Sequence, residues 1–433
     1  MHLNENPFLR FAGGRPPEIL GSGDEVDAAL VACKRLLGGR AARPMLLLGP
    51  RGSGKTVLLK EIGDFAAQSN YLVLRLEVSS GASFGAALLA DIERVLAAFS
   101  RFADWRSAAS DRLEATGGAV AILPNESDPS GSLETDLADR FEAVGNAARA
   151  IGMGWLLLVD ELQNLSKADL AALLAALHRV NQLALPVMFV GAGLPNAARL
   201  VAEAKAYAER LLFFCDLKPL SPKAIKSVLV TSFKKAGASI APNALDVMVK
   251  ESLGSPLLLR IWAACVWEMS RGQVITMRDV ELAKADAFDE IAHDVFRFDR
   301  LDARERAFLQ AMVVLGDDSL RLNDIRAALM LAPHAAAALK RRLVRKGFIY
   351  SSRRGYAAFA SALIPVIVER IRLGVRGSGA THALDKGGGR DKKPAAPKAA
   401  VGSEDGLFTR KSCACRRSKR WQAQAPHQRQ AAW

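Results

Sequence analysis

Residues 49–56 read GPRGSGKT, a glycine and four further residues leading into Gly54-Lys55-Thr56. Such spacing lets a tight loop turn its backbone N–H groups inward on a phosphate, at the N-terminus of the helix that follows. The flanks agree with this. Apolar MLLL (45–48) reads as a strand running into the loop, and KTVLLKEIGDFAAQ (55–68) has the period of an amphipathic helix leaving it. A strand behind the loop and a helix ahead of it commit the chain to an α/β fold. Gly49, Pro50, Arg51, Gly52, Ser53 and Gly54 would form the cradle. Lys55 would reach the β- and γ-phosphates, and the Thr56 hydroxyl would ligate Mg²⁺. ATP and Mg²⁺ are the cofactors this motif requires.

The second half of such a site is legible at 155–162, WLLLVDEL. An apolar strand that ends on Asp160-Glu161 presents two carboxylates at the edge of a sheet. Asp160 would hold the metal and Glu161 would polarise the attacking water as general base. The strand beginning at Pro186 runs into GAGLPN, which carries no Asn, Ser or Thr at the strand end; Asn196 is the nearest amide. Arg210, in YAERLLFF, is a candidate to stabilise the transition state from a neighbouring subunit, or is simply solvated. Gly254-Ser255-Pro256 opens a further helix with proline in its first turn, and Arg260 on that helix either faces the nucleotide or packs with its stem in the core.

Short apolar runs at 45–48, 71–78, 155–160, 186–191 and 211–215 alternate with helical segments. That order predicts a parallel sheet covered on both faces. Turn clusters at 104–132 predict an insertion, and 219–298 predicts helices without a strand. The five cysteines (33, 215, 265, 413, 415) show no metal-ligand spacing and read as incidental thiols. MHLNENPFLRF has no apolar leader, and the apolar runs are shorter than a bilayer span, so a cytoplasmic protein without a membrane segment is expected.

The net charge of +14 is unevenly placed. Residues 373–433 hold 13 Lys/Arg against 4 Asp/Glu, and 300–372 hold 14 against 6, which leaves 1–299 slightly acidic. A basic C-terminal part points to a polyanion partner. Helical patterns at 303–315, 322–331 and 334–346, followed by GFIYSSRRGYAAF as two short strands, spell a winged helix-turn-helix. Lys340, Arg341, Arg342, Arg345 and Lys346 on its third helix, with Arg353 and Arg354 in the wing, are candidates to contact double-stranded DNA over 334–354. The alternative for the same unit is protein contact, with the arginines solvated. The tail from 373 lacks an apolar period and reads as disordered.

Taken in order, the glycine loop, the VDE strand, VMFVGAGLP, YAERLLFF, the Gly-x-Pro helix and the C-terminal winged helix resemble the bacterial AAA+ ATPases of the origin-recognition and replication-initiator-like branch. NPF…GGRPPEILG resembles their N-terminal box, although Gly21-Ser22 stands where Gly-Arg is usual. The resemblance implies a P-loop NTPase αβα sandwich with a parallel sheet, a helical lid and a winged helix. The corresponding segments are 1–42 as lead-in, 43–218 as ATPase core, 219–298 as lid, 299–372 as winged helix-turn-helix and 373–433 as basic tail. It implies ATP held between core and lid, hydrolysis by Lys55, Thr56, Asp160 and Glu161 coupled to domain movement or assembly, and Arg210 as the candidate arginine finger, which in trans would require a homo-oligomer. Three functions remain open at this point: a nucleotide-controlled switch or assembly factor on DNA, a signalling switch of the STAND type, whose lids also carry Gly-x-Pro, and a DNA-binding regulator that binds nucleotide without turnover.

Overall fold

In the computed structural model, residues 6–8, 23–79, 83–110, 132–292, 297–316 and 319–372 are described. The expected alternation is present. Helix α1 (Gly23–Leu37) leads to β1 (Met45–Leu48) and α2 (Lys55–Gln68), then β2 (Tyr71–Glu77) and α3 (Phe84–Ser110). Next come α4 (Leu133–Ala150), β3 (Gly154–Asp160), α5 (Lys167–Gln182) and β4 (Val187–Gly193), then α6 (Ala197–Ala204), α7 (Ala208–Leu211) and β5 (Phe213–Asp216). The five strands form one sheet in the order β2-β3-β4-β1-β5, every pair parallel.

The unalternating apolar runs are explained by burial on both faces. Successive residues of one strand go to opposite sides. Leu46, Leu48, Trp155, Leu157 and Val159 pack with α3, α4 and α5, whereas Met45, Leu47, Leu156, Leu158 and Val190 pack with α1 and α2. Trp155 and Phe141 of α4 meet edge to face, ring centroids 4.9 Å apart.

Two expectations in this half need correction. Helix α3 continues to Ser110, into a stretch expected to begin an insertion at 104; alanine-rich DWRSAAS carries the helical backbone on, and residues 111–131 lie outside the described ones. The single helix expected over 195–209 breaks at Lys205, whose backbone is extended and whose side chain reaches Glu134 at 2.7 Å.

After the sheet come α8 (Pro222–Lys235), α9 (Pro242–Glu251), α10 (Pro256–Met269) and α11 (Met277–Glu290). The expected absence of strands fails here: β6 (Ser239–Ile240) and β7 (Val274–Ile275) pair in parallel. Two residues each are too few to leave a period in the sequence. The C-terminal unit contains α12 (Ala303–Leu315), β8 (Leu320–Arg321), α13 (Leu322–Ala328), α14 (Pro333–Arg345), β9 (Ile349–Tyr350), β10 (Tyr356–Phe359) and α15 (Leu363–Arg372). The expected hairpin β9–β10 is joined by β8, giving a three-stranded antiparallel sheet.

One hydrophobic cluster runs without a break through the helical segment and the C-terminal unit. It includes Leu229, Phe233, Trp262, Phe288, Phe298, Phe308, Leu343 and Ile364. Phe8 joins it against Phe233, with centroids 5.1 Å apart, and Asn6 donates to Ala264 O at 3.3 Å. The two C-terminal segments therefore share a core that the sheet does not enter.

Candidate nucleotide site

The carboxyl ends of β1, β3 and β4 carry the site. Gly52 and Gly54 take φ of 81° and 92°, left-handed values that a side chain tolerates poorly and that the loop needs to turn into α2. Lys55 is buried, and its ammonium donates to Gly49 O and Pro50 O, both at 2.8 Å. Burial pushes its pKa down to about 8, opposed by the nearby Glu161 and Asp160 and reinforced by Arg51. Ser53 Oγ is buried without a hydrogen-bond partner inside the loop. A lysine short of counter-charge and an orphaned hydroxyl in one loop are what a phosphate would satisfy.

The Thr56 hydroxyl donates to Asp160 Oδ2 at 2.6 Å, so β3 and the start of α2 bring these two oxygens together. Hydroxyl and carboxylate oxygen are the hard donors magnesium takes. No group of three or more His, Cys, Asp or Glu that could hold a metal occurs among the described residues. Glu161 follows in a left-handed conformation, φ 55°, with its N–H on Asp160 Oδ1 at 2.8 Å.

Two other parts of the chain rest on the loop. Leu257 N–H and the Ser255 hydroxyl both point to Gly52 O at 3.4 Å, so the Gly-x-Pro helix start sits against the phosphate loop. From the C-terminal unit, Ala360 O accepts from Arg51 N–H at 2.6 Å. A Cβ at Gly347 would collide with the Arg51 guanidinium. Nothing in the sequence around 347 or 360 signals that contact.

The remaining sequence candidates separate. Asn196 begins α6 without a side-chain cap, and its Oδ1 is buried without a partner. Arg260 has Glu290 of α11 as its electrostatic neighbour, and burial lowers its pKa. Arg210 is exposed on α7, immediately before β5. Because Phe213 pairs with Met45, the first residue of β1, Arg210 sits at the opposite end of the sheet from the loop that follows Leu48.

On the C-terminal unit, three of the seven basic residues bond to polar partners within the unit. Arg342 pairs with Asp302 and, at 3.0 Å, with the fully buried Glu305. Lys346 pairs with Glu305 at 2.7 Å, and Lys340 donates to Tyr356 O. Arg353 stacks on the Tyr356 ring, 3.7 Å from its centroid. Arg341, Arg345 and Arg354 are exposed. Cys33 and Cys215 have thiols pushed up to about 12 and about 11 by burial, as expected of inert cysteines; Cys413 and Cys415 lie outside the described residues.

The strand order and the loop together define the class: a P-loop nucleoside triphosphatase fold, with a parallel five-stranded sheet between helices and a helical C-terminal region. Residues 18–190 match the family described as AAA ATPase domain. Residues 295–365 match a family described as a domain of unknown function (DUF8462). No curated protein matches the chain. Among solved structures it is similar to a Walker-type ATPase of Pyrococcus abyssi, with 15% identity, 83% of this chain and 100% of that one covered, and a TM-score of 0.48. It is also similar to the RuvB Holliday junction branch migration motor of Thermotoga maritima (18%, 83% and 98%, 0.42) and to the Aeropyrum pernix ORC1 protein in complex with DNA (15%, 84% and 95%, 0.42). No helix among the described residues is long and apolar enough to cross a membrane.

Proposed function

We propose that the protein hydrolyses ATP as a nucleotide-controlled switch, with 43–218 as the ATPase core, 219–298 as a lid and 299–372 as a winged helix that acts on double-stranded DNA. The observation that carries the switch is the hydrogen bond from Arg51 N–H to Ala360 O, 2.6 Å, because it ties the phosphate loop to the C-terminal unit. The shared core of lid and C-terminal unit supports movement of both as one body over the loop.

In this reading Lys55 leaves Gly49 O and Pro50 O for the β- and γ-phosphates, and the loop N–H groups orient the chain of phosphates for in-line attack. Glu161 accepts the proton of the attacking water. Magnesium, held by Thr56 and Asp160, neutralises charge on the phosphate oxygens when bound. Arg210, at the other end of the sheet from its own loop, serves a neighbouring copy in a homo-oligomer. The test is ATP turnover with and without duplex DNA. Lys55→Ala and Glu161→Gln should each reduce turnover to a measurable trace, and near-wild-type activity in either variant would sink the mechanism.

DNA contact falls to Arg341, Arg345, Arg353 and Arg354, because Lys340, Arg342 and Lys346 are occupied. Replacing Arg341 and Arg345 by alanine should weaken binding and flatten the dependence of log affinity on log salt by about one per residue removed. That same occupancy favours a second reading, a STAND-like signalling switch whose winged helix is a clamp on the core. Absence of DNA binding at low salt, with ATP turnover intact, would select it.

A further inference from the structure

Gln163 lies two residues beyond Glu161, in a short 3-10 turn, Leu162–Asn164. Its Oε1 accepts from Leu194 N–H at 2.9 Å. A backbone N–H only donates, so the amide oxygen must face Leu194 and the amide nitrogen must face the other way. That nitrogen donates to Glu161 Oε2.

The far end of the link is equally defined. Leu194 N–H and Gly193 C=O belong to one planar peptide unit. Gly193 O accepts from Gly49 N–H at 3.2 Å, and Gly49 is the first residue of the phosphate loop. Three hydrogen bonds therefore connect the loop to Glu161 through a single rigid peptide and one side chain. Space for the link is closed: a Cβ at Gly193 would come within 2.9 Å of Ala197 Cβ and 3.0 Å of Gln163 Oε1. On its other side the turn is anchored by Asn164, whose amide donates to Val78 O at 2.9 Å.

We infer that Gln163 is a positioning residue that orients the Glu161 carboxylate and couples it to the phosphate loop through the 193–194 peptide. It supplies the polar group that the end of β4, ending Gly-Ala-Gly, lacks. A shift of Gly49 on phosphate binding moves the peptide, and the amide carries that shift to Glu161. The general base is then aligned when the loop is closed on its ligand. This inference rests on the hydrolase reading of the site.

The experiment compares wild type, Gln163→Ala, Gln163→Glu, Glu161→Gln and the double variant Glu161→Gln/Gln163→Ala. Steady-state turnover is measured with Mg·ATP, binding with a non-hydrolysable ATP analogue, and amide hydrogen exchange at Leu194 without nucleotide. Gln163→Ala should lower kcat by roughly 10- to 100-fold, as misalignment of a catalytic group does, while analogue affinity stays within about twofold. Exchange at Leu194 should accelerate in Gln163→Ala. It should stay slow in Gln163→Glu, which keeps the acceptor for Leu194 but loses the donor to Glu161, and which should lose turnover as Gln163→Ala does. In the Glu161→Gln background the second change should add little, because both act through one group. Wild-type turnover with an equally active Gln163→Ala, or with additive losses in the double variant, overturns the assignment alone. A wild type that does not turn over ATP overturns the hydrolase reading, and the assignment with it.

Discussion

Lys55 shows how a single residue can stand ready for a ligand. Its ammonium is buried against the loop's own carbonyls, and its pKa is pushed down to about 8 because burial outweighs the pull of Glu161 and Asp160. Phosphate oxygens placed beside it favour the charged form and raise that value again. Near pH 8 Lys55 should therefore be partly deprotonated in the free protein and more fully protonated in the complex. ATP binding should take up a fraction of a proton at that pH, measurable by titration calorimetry in buffers of different ionisation enthalpy. Lys55→Ala should remove the uptake; an unchanged uptake would place the proton elsewhere. The motif residues Gly49 to Thr56 and the pair Asp160-Glu161 were legible from spacing alone, because loop, strand and helix are contiguous in the chain. Gln163 was missed, although a polar Gln-Asn pair directly after the carboxylates was a visible signal. Its role depends on Leu194, which only the sheet brings near.

Among the elements, α14 departs most from its sequence reading. Four basic residues on one helix, with Lys346 at its end, resemble a surface for a polyanion, yet α12 brings a capping box to meet them. Asp302 and Glu305 satisfy the first N–H groups of α12 and receive Arg342 and Lys346 from α14. Backbone hydrogen bonding lowers the Asp302 pKa, and for Glu305 the bonds from Lys346 and from the Asp302–Glu305 box outweigh the rise that burial would cause. Both carboxyls thus sit below their ordinary values. Their stabilisation is fully present above about pH 4.5 and is lost as pH falls through the folded values. Glu305→Gln should lower the melting temperature near neutrality and narrow the loss of stability as pH falls below about 4.5. Equal acid sensitivity in both proteins would show that the pairs matter little. Because Arg342 and Lys346 are more than a third exposed and can rehydrate, the expected cost at neutral pH is only about 1 kcal/mol.

At the scale of the whole molecule, the helical segment 219–298 and the C-terminal unit share one core and touch the phosphate loop at two points, Gly52 and Arg51. Any ligand that alters the loop must shift these contacts or bind against them. ATP should therefore change amide exchange over 347–361 as well as over 49–56 in the wild type, and change neither in Lys55→Ala. Protection confined to 49–56 would mean that the C-terminal unit does not sense the nucleotide. The sequence by itself determined the parallel sheet, the phosphate loop, the carboxylate strand and the helix–hairpin order of the C-terminal unit. Each depends on local period, on turn chemistry or on residues adjacent in the chain. Tertiary structure alone decided which cations are free, which end of the sheet holds Arg210, and which distant residues reach the GPRGSGKT loop. Those depend on contacts between residues up to some three hundred positions apart, and such contacts leave no period or spacing behind.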